Sequence, residues 1–256
     1  MSSNDTVKKT ITVAFLLCLV CSIVVSGAAV ILKPTQQTNK ALDRKANILA
    51  AAGIATEGQD IDTLFSQFDA RVVDLETGRY TDAVDVETYD QNKAAKDPKL
   101  SQALSDEVDI AGINRRERYA TVYLLEQEGQ LQRVIIPVRG YGLWSTLYGF
   151  LALEGDGNTV AGLGFYSHGE TPGLGGEVDN PRWKAHWPGK RVFDEQGHPV
   201  IELVKSVDPH DPKAVNKVDA LSGATLTSNG VENLLLFWLG ENGFGSYLAN
   251  LQAGEL

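Results

Sequence analysis

Cysteine is almost missing from this sequence. The chain of 256 residues holds two, Cys18 and Cys21, and both lie inside an apolar segment near the N-terminus. The rest of the chain therefore has no disulfide, no thiolate metal site and no cysteine-ligated iron–sulfur cluster. Because a cysteine-free body suits reducing and oxidising compartments equally, this absence leaves the compartment open.

Histidine and clustered basic residues are also scarce. The four histidines show no metal-ligand spacing, so no metal site is predicted. The formal net charge is −10, and an acidic chain without lysine and arginine clusters is a poor partner for nucleic acid. Motifs of hydrolase nucleophiles, P-loops and nicotinamide-binding βαβ units are lacking, so no catalytic side chain is predicted. Any redox chemistry must therefore come from a bound cofactor.

One long apolar run is present near the N-terminus. Residues 11–32 contain no charged residue, and these 22 positions suffice for a bilayer core, which needs about 20. We predict a tail at residues 1–10, a transmembrane helix at 11–32 and one soluble domain at 33–256. A signal peptide cleaved near 26–28 is the alternative, but the run is longer than the roughly 7–15 apolar residues of such peptides.

The charges around this run do not define its orientation. Lysines and arginines occur on both sides, at Lys8 and Lys9 before the run and at Lys33, Lys40, Arg44 and Lys45 after it. Large domains cross the membrane despite their charge, so counting does not decide which side the body occupies. Because the run has no ionisable group, it is predicted to be a tether or packing partner and not an ion pathway.

The pattern beyond the apolar run predicts an α+β fold, an antiparallel sheet with packed helices. Residues 119–125 and 131–138 flank a turn at Glu128-Gly129-Gln130, which is typical of a hairpin. Residues 147–153 and 159–166 form a second such pair. Adjacent strands joined by tight turns pair antiparallel, which fixes the class of sheet.

Other predicted elements surround this sheet. A helix leaves the membrane from Pro34 to about Ala52. Residues 82–108 are charged and predict a solvated excursion that holds one helical turn, with a surface loop prone to disorder as the alternative. The run 230–239 is apolar on several faces, which predicts a buried helix that closes the chain. Shorter elements are predicted as a helix at 61–68 capped by Asp60 or Asp62, a strand at 71–75, a helix start at 180–183 and a strand at 198–207.

The chain is organised around Asp219-Ala220-Leu221-Ser222-Gly223-Ala224-Thr225-Leu226-Thr227, just before that last helix. Thr227, Ser228 and Asn229 are candidate N-cap residues, and Glu232 stands at capping-box spacing from Asn229. Small residues at a helix N-terminus let a phosphate approach free backbone N–H groups, and a threonine hydroxyl there can contact or esterify it. An ordinary turn before a buried helix is the simpler interpretation of the residues alone.

Two glycine-rich loops lie between predicted strands, at 139–144 and 168–176. Glycine permits close backbone approach and proline fixes a turn, so the polar and aromatic residues of these loops can hold a planar ring. The alternative for Trp144 is a tryptophan of the core or of an interface. The alternatives for Glu170 are an isolated buried carboxylate and an exposed one.

One motif in the organising stretch indicates a family. Asp219-x-x-Ser222-Gly223-Ala224-Thr225 resembles the sequence at which flavin transferases attach FMN, through its phosphate, to the last threonine. With the single apolar run, the acidic middle and both glycine loops, the whole chain is similar to the C subunits of bacterial sodium-translocating NADH:quinone reductases. It is similar, more broadly, to the flavin subunit of Rnf-type complexes. Leu226 departs from versions of the motif with a small polar residue there.

The resemblance implies a covalent flavin site. Thr225 is the implied phosphoester residue, and a flavin transferase is the implied maturation partner. Residues implied to line the phosphate or to be recognised by the transferase are Asp219, Ser222, Gly223 and Ala224, with Thr227 as a further cofactor contact. The residues that we expect to contact the ring, because they lie in the glycine loops, are Leu143, Trp144, Glu170, Thr171 and Leu174.

The implied function is electron relay within a membrane complex. FMN passes electrons between neighbouring centres of a complex that oxidises NADH, reduces ubiquinone and exports sodium, and the other subunits are the implied partners. The implied location is the inner membrane, with a single span and a periplasmic domain whose flavin-binding core covers about 119–240. Two alternatives are a membrane-tethered binding or sensory domain without redox activity, and a flavoprotein carrier outside any sodium pump.

Overall fold

The structure is a computed structural model that describes residues 6–256. The chain divides into two units, with the boundary between Asp43 and Arg44. Helix α1 (Val7–Ala51) begins in the first unit and ends in the second, and it contains Pro34. Its apolar window is long enough to cross a membrane and is exposed throughout. The single N-terminal apolar helix of the predicted fold is therefore confirmed.

The second unit is built on a six-stranded antiparallel sheet with the order β2-β1-β5-β6-β7-β8. The strands in chain order are β1 (Phe68–Asp74), β2 (Arg79–Tyr80), β3 (Ser101–Ala103), β4 (Arg115–Glu117), β5 (Tyr119–Gln127), β6 (Gln130–Tyr141), β7 (Thr146–Glu154), β8 (Val160–Ser167), β9 (Glu202–Val204) and β10 (Lys217–Asp219). Strands β3 and β4 pair antiparallel, and β9 and β10 pair parallel. The predicted α+β class with an antiparallel sheet is confirmed.

Helices complete the unit. They are α2 (Ile61–Phe65), α3 (Gln91–Ala94), α4 (Pro181–Lys184), α5 (Thr225–Leu239) and α6 (Gly245–Ala253), with 3-10 turns at Gly175–Asp179 and Ala214–Asn216. Asp60 caps α2, because its carboxylate accepts the N–H of Thr63 at 2.9 Å. The excursion at 82–108 holds one helical turn, α3, as predicted, and also the unpredicted strand β3.

The sheet is buried on both faces, because its central strands are apolar on both. Along β5, Val122 and Leu124 belong to the core shared with α5, whereas Tyr123 and Leu125 belong to the core shared with the end of α1. This alternation follows from the two-residue period of a strand. Both predicted hairpins are confirmed, and the β5–β6 turn has positive φ at its two central residues, Glu128 and Gly129.

The start of α5 differs from the prediction. The helix begins at Thr225 with Ala224 as N-cap, so Thr227, Ser228 and Asn229 are not the cap. The Ser228 hydroxyl instead donates to the Ala224 carbonyl at 3.1 Å and accepts the Leu221 N–H at 3.0 Å. These bonds close the turn from inside the helix, so the helical conformation starts earlier than the local capping pattern indicates.

Three further predictions were wrong. Glu232 forms no capping box, because its carboxylate accepts the N–H of Leu203 at 2.6 Å. The strand predicted at 198–207 is limited to β9, since only that part pairs with β10. The chain does not close on α5 but continues into α6, which buries Tyr247 and Leu248. Because α6 contains glycine and polar residues among its apolar ones, its apolar face is not evident from the sequence pattern.

Gly140 lies where α5 crosses β6, and no larger residue fits there. A Cβ at this position would collide with the Cβ of Leu234 and lie 3.1 Å from the Ala111 carbonyl oxygen. We expect Gly140→Ala to lower the free energy of unfolding by about 1–3 kcal/mol, measured by urea denaturation. The matched control is Gly164→Ala in β8, where an added Cβ has no atom within 4 Å. Equal losses in the two variants would contradict the packing explanation.

Candidate functional site

Thr225 lies at the exposed N-terminus of α5. It is the first helical residue, and its side chain is exposed together with Ser222 and Gly223 of the preceding turn. Gly223 has φ +73°, a conformation that L side chains rarely adopt. The first N–H groups of a helix have no intrahelical acceptor and carry the positive end of the dipole. The Thr225 hydroxyl therefore stands where a phosphate is stabilised.

Thr227, two residues further on, is in a different environment. Its side chain is 0% exposed, and its hydroxyl donates to Oε2 of Glu170 at 2.7 Å. Of these two threonines, Thr225 is accessible from solvent, whereas Thr227 is enclosed and already hydrogen-bonded. The sequence alone did not distinguish them by accessibility.

Glu170 connects three segments of the site. It is 5% exposed, and its Oε1 accepts the N–H groups of Leu143 at 3.1 Å, Trp144 at 3.0 Å and Ser145 at 3.2 Å. Through Oε2 it accepts the hydroxyl of Thr227. One carboxylate therefore holds the loop after β6, the loop after β8 and the first turn of α5 together.

The environment of Glu170 keeps it ionised. Burial by itself raises the pKa of Glu170, but the hydrogen bonds from the Trp144 amide, the Thr227 hydroxyl and the other two loop amides outweigh it and lower the pKa below its ordinary value. The stability that these bonds add is present above the pKa of an unfolded glutamate. It is lost as the pH falls through the lower pKa of the folded state.

Two glycines permit this close approach. A Cβ at Gly142 would lie 2.7 Å from Oε1 of Glu170. A Cβ at Gly175 would lie 2.5 Å from the Thr227 hydroxyl oxygen and 2.7 Å from Oε2 of Glu170. The glycines that the sequence placed in the two loops thus leave room for the carboxylate and its partners.

Exposed apolar side chains lie on both loops and on α5. We call Leu143, Trp144, Leu174 and Leu226 the apolar rim; all four are exposed, Trp144 by 65%. The second loop reaches the turn before Thr225, since a Cβ at Gly223 would lie 3.4 Å from Leu174. Because it is exposed, Trp144 is not a core residue. An exposed apolar rim beside a helix N-terminus suits a ligand that is both planar and phosphorylated.

A turn presents Leu174 to this rim. The Leu174 N–H donates to the carbonyl of Thr171 at 3.1 Å, and the Gly173 between them has φ +76°. Thr171 itself is exposed. Pro172 followed by a glycine with positive φ forms a β-turn of the kind that the sequence indicated.

Asp219 lies at the end of β10, is half-buried, and accepts hydrogen bonds from other segments of the protein. Its Oδ1 accepts the N–H of Val207 at 2.6 Å, and its carbonyl accepts the indole N–H of Trp183 at 2.8 Å. The carboxylate thus holds the loop between β9 and β10, which leads into the organising stretch. These contacts are not visible in the motif.

His168 and Ser145 also hold the loops, and no sequence signal singled them out for this. His168 pairs through Nε2 with Oδ2 of Asp179 at 2.8 Å, and its Nδ1 accepts the N–H of Glu170 at 3.2 Å. The Ser145 hydroxyl accepts the N–H of Gly169. In residues 6–256 no group of three His, Cys, Asp or Glu side chains has the arrangement of a metal site.

Known proteins share this architecture. A model of the FMN-binding domain family matches residues 142–240, which include the end of the first glycine loop, all of the second loop and α5. The C subunit of the Na(+)-translocating NADH-quinone reductase of Pseudomonas aeruginosa is 58% identical over the full length of both chains. That of Vibrio alginolyticus is 48% identical, over 100% of this chain and 99% of its own.

Solved structures agree with these relatives. The crystal structure of Shewanella oneidensis NqrC has a TM-score of 0.75 at 36% identity, and the match covers 82% of this chain and 96% of that one. The crystal structure of the C subunit of the Na(+)-translocating NADH-quinone reductase from Parabacteroides distasonis has a TM-score of 0.66 at 27% identity, and the match covers 85% and 96%.

Proposed function

This chain belongs to the C subunits of sodium-translocating NADH-quinone reductases, and we propose that it carries FMN in a phosphoester bond to Thr225. It is thus a subunit of an NADH-quinone reductase and contains an FMN-binding domain. The covalent bond, the acceptor threonine and the ring contacts are the proposed part.

The accessibility of Thr225 is the observation that carries this proposal. Thr225 is exposed at the first position of α5, whereas the hydroxyl of Thr227 is enclosed and donates to Glu170. An enzyme that esterifies a folded chain needs an accessible hydroxyl, and a phosphate once attached would be stabilised by the helix N-terminus. We assign the phosphate contacts to Ser222, Gly223 and Ala224, all within the turn before Thr225.

The residues of the two loops would hold the flavin ring. Leu143, Trp144 and Leu174 present exposed apolar surface beside the attachment turn, and Thr171 is exposed at the start of the neighbouring turn. When bound, FMN supplies the ability to accept and donate electrons. The covalent bond keeps the cofactor on a surface open to water, and the apolar rim shields a face of the ring from solvent. Asp219 acts indirectly, by holding the loop before the stretch.

The proposed setting is the inner membrane. Residues 11–32, within α1, are the single span, residues 1–10 precede it, and residues 33–256 form the soluble part with its flavin-binding core at about 119–240. We place the soluble part on the periplasmic side. There it would relay electrons between other subunits of a complex that oxidises NADH, reduces ubiquinone and exports sodium, after maturation by a flavin transferase.

The direct test is the intact mass of the denatured full chain, produced with and without a flavin transferase. We expect the mass to increase by that of one FMN less one water only when the transferase is present. A phosphoester survives denaturation, whereas a noncovalently bound flavin dissociates. A chain without the increment, in cells where the transferase modifies a known target, would contradict the proposal. It would favour a tethered binding domain without redox activity.

A further inference from the structure

We propose that Glu170 is a positioning residue of the flavin site, which fixes the Leu143–Ser145 loop against α5 and places a negative charge beside the ring. The proposal rests on the attachment of FMN to Thr225, and it gives Glu170 and Thr227 a different task from direct ring or phosphate contact. Its basis is the set of hydrogen bonds that both residues make inside the protein.

The loop that presents Leu143 and Trp144 surrounds the carboxylate of Glu170. Three successive N–H groups, from Leu143 to Ser145, converge on Oε1 of Glu170. Successive backbone N–H groups that point to one site form an anion-binding concavity. Because the Leu143 and Trp144 side chains are exposed, packing of these side chains does not fix the loop. The carboxylate, together with the Gly142 N–H that donates to the Ser145 carbonyl at 2.8 Å and the Gly169 N–H that donates to the Ser145 hydroxyl, determines where these two side chains stand.

Thr227 connects the loop to the helix that carries the attachment site. Its hydroxyl donates to Oε2 of Glu170 across 57 residues of sequence. Since Thr227 lies two residues after Thr225 in the same first turn, this bond and those from Glu170 to the Leu143–Ser145 loop hold that loop against the turn that carries the attachment hydroxyl. It also engages the Thr227 hydroxyl, so that of these two threonines Thr225 is the one accessible to the transferase.

The charge of Glu170 is balanced by dipoles. The strongest influences on its pKa are burial, three backbone amides and one hydroxyl, and none of these is a cation. A fixed negative charge near a redox group makes the addition of an electron less favourable. Glu170 is therefore expected to hold the flavin potential below the value that a neutral side chain would give.

The test uses the full chain matured with a flavin transferase, as wild type, Glu170→Gln and Thr227→Val. We expect all three to carry FMN at Thr225. Glu170→Gln should shift the midpoint potential to more positive values and change the visible circular dichroism of the flavin, because charge and loop position are both altered. Thr227→Val should change the circular dichroism with a smaller shift in potential, and Thr227→Ser, which keeps the donor, should restore the wild-type spectrum.

The matched control is Glu154→Gln, which removes a carboxylate at the far end of β7. Glu154 is separated from the loop by the length of the strand, about 25 Å at about 3.3 Å per residue. Its variant should keep the wild-type potential and spectrum. The chemical denaturation midpoint of each variant shows whether a changed potential or spectrum comes from unfolding or from a change confined to the flavin site.

Two results would contradict two different proposals, the positioning by Glu170 and the attachment of FMN. If Glu170→Gln and Thr227→Val carry FMN with the potential and circular dichroism of wild type, the positioning proposal is overturned and the proposed function stands. If wild type itself carries no FMN, the proposed function fails first.

Discussion

Thr225→Ala, produced together with a flavin transferase, is expected to lose the FMN mass increment completely. The side chain of Thr225 provides the proposed acceptor hydroxyl, and alanine has no atom to replace it. The Thr227 hydroxyl cannot substitute, because it is 0% exposed and donates to Glu170. The measurement is the intact mass after denaturation, with in-gel flavin fluorescence as a second readout.

The controls separate chemistry from folding. Thr225 is exposed at a helix end, so its replacement should change the free energy of unfolding by no more than about 0.5 kcal/mol. Thr225→Ser keeps a hydroxyl at the same place and should retain some attached FMN. If Thr225→Ala carried as much covalent FMN as wild type, the acceptor would have to be another residue.

Glu117→Ala is expected to cause the largest loss of stability, about 3–5 kcal/mol, because it leaves a buried charge without its partner. Glu117 is 0% exposed, and its carboxylate accepts hydrogen bonds from Nη2 of Arg139 and Nε2 of Gln91. The Arg139 side chain is almost fully buried and also donates to the carbonyl of Arg115 at 2.9 Å. Without the carboxylate, the guanidinium would stay enclosed and unpaired.

We expect this loss of stability to affect the proposed flavin site through α5. The indole N–H of Trp238 donates to the carbonyl of Arg139 at 2.7 Å, so the buried pair lies where α5 is fastened to the end of β6. The loop that carries Trp144 follows directly. We therefore expect the amount of attached FMN in Glu117→Ala to fall with the fraction of folded protein.

Chemical denaturation measures this prediction, and two variants control it. Glu126→Ala removes an exposed carboxylate from β5 and should change stability by about 0.5 kcal/mol or less. Glu117→Ala combined with Arg139→Met removes both charges, and it should be more stable than Glu117→Ala alone, since no unpaired charge is left. Equal stability of Glu117→Ala and Glu126→Ala would contradict the buried-pair explanation.

Local sequence was sufficient for the features that depend on neighbouring residues. The uncharged run at 11–32 predicts a long apolar helix, because membrane-spanning length is a property of one segment. The alternating strands and the turn at Glu128 and Gly129 predict the β5–β6 hairpin for the same reason. The motif that ends at Thr225 indicated the family, which the similarity of the whole chain confirms.

The tertiary structure decided which residues of the candidate site are accessible and which are enclosed. Thr225 and Thr227 are the same residue type in the same motif, yet only the packing of α5 against Glu170 makes one accessible and the other enclosed. The bond between Glu117 and Arg139 joins residues that no periodic pattern relates. Hydrogen bonds between positions tens of residues apart leave no local signal, and chain folding alone brings these groups together.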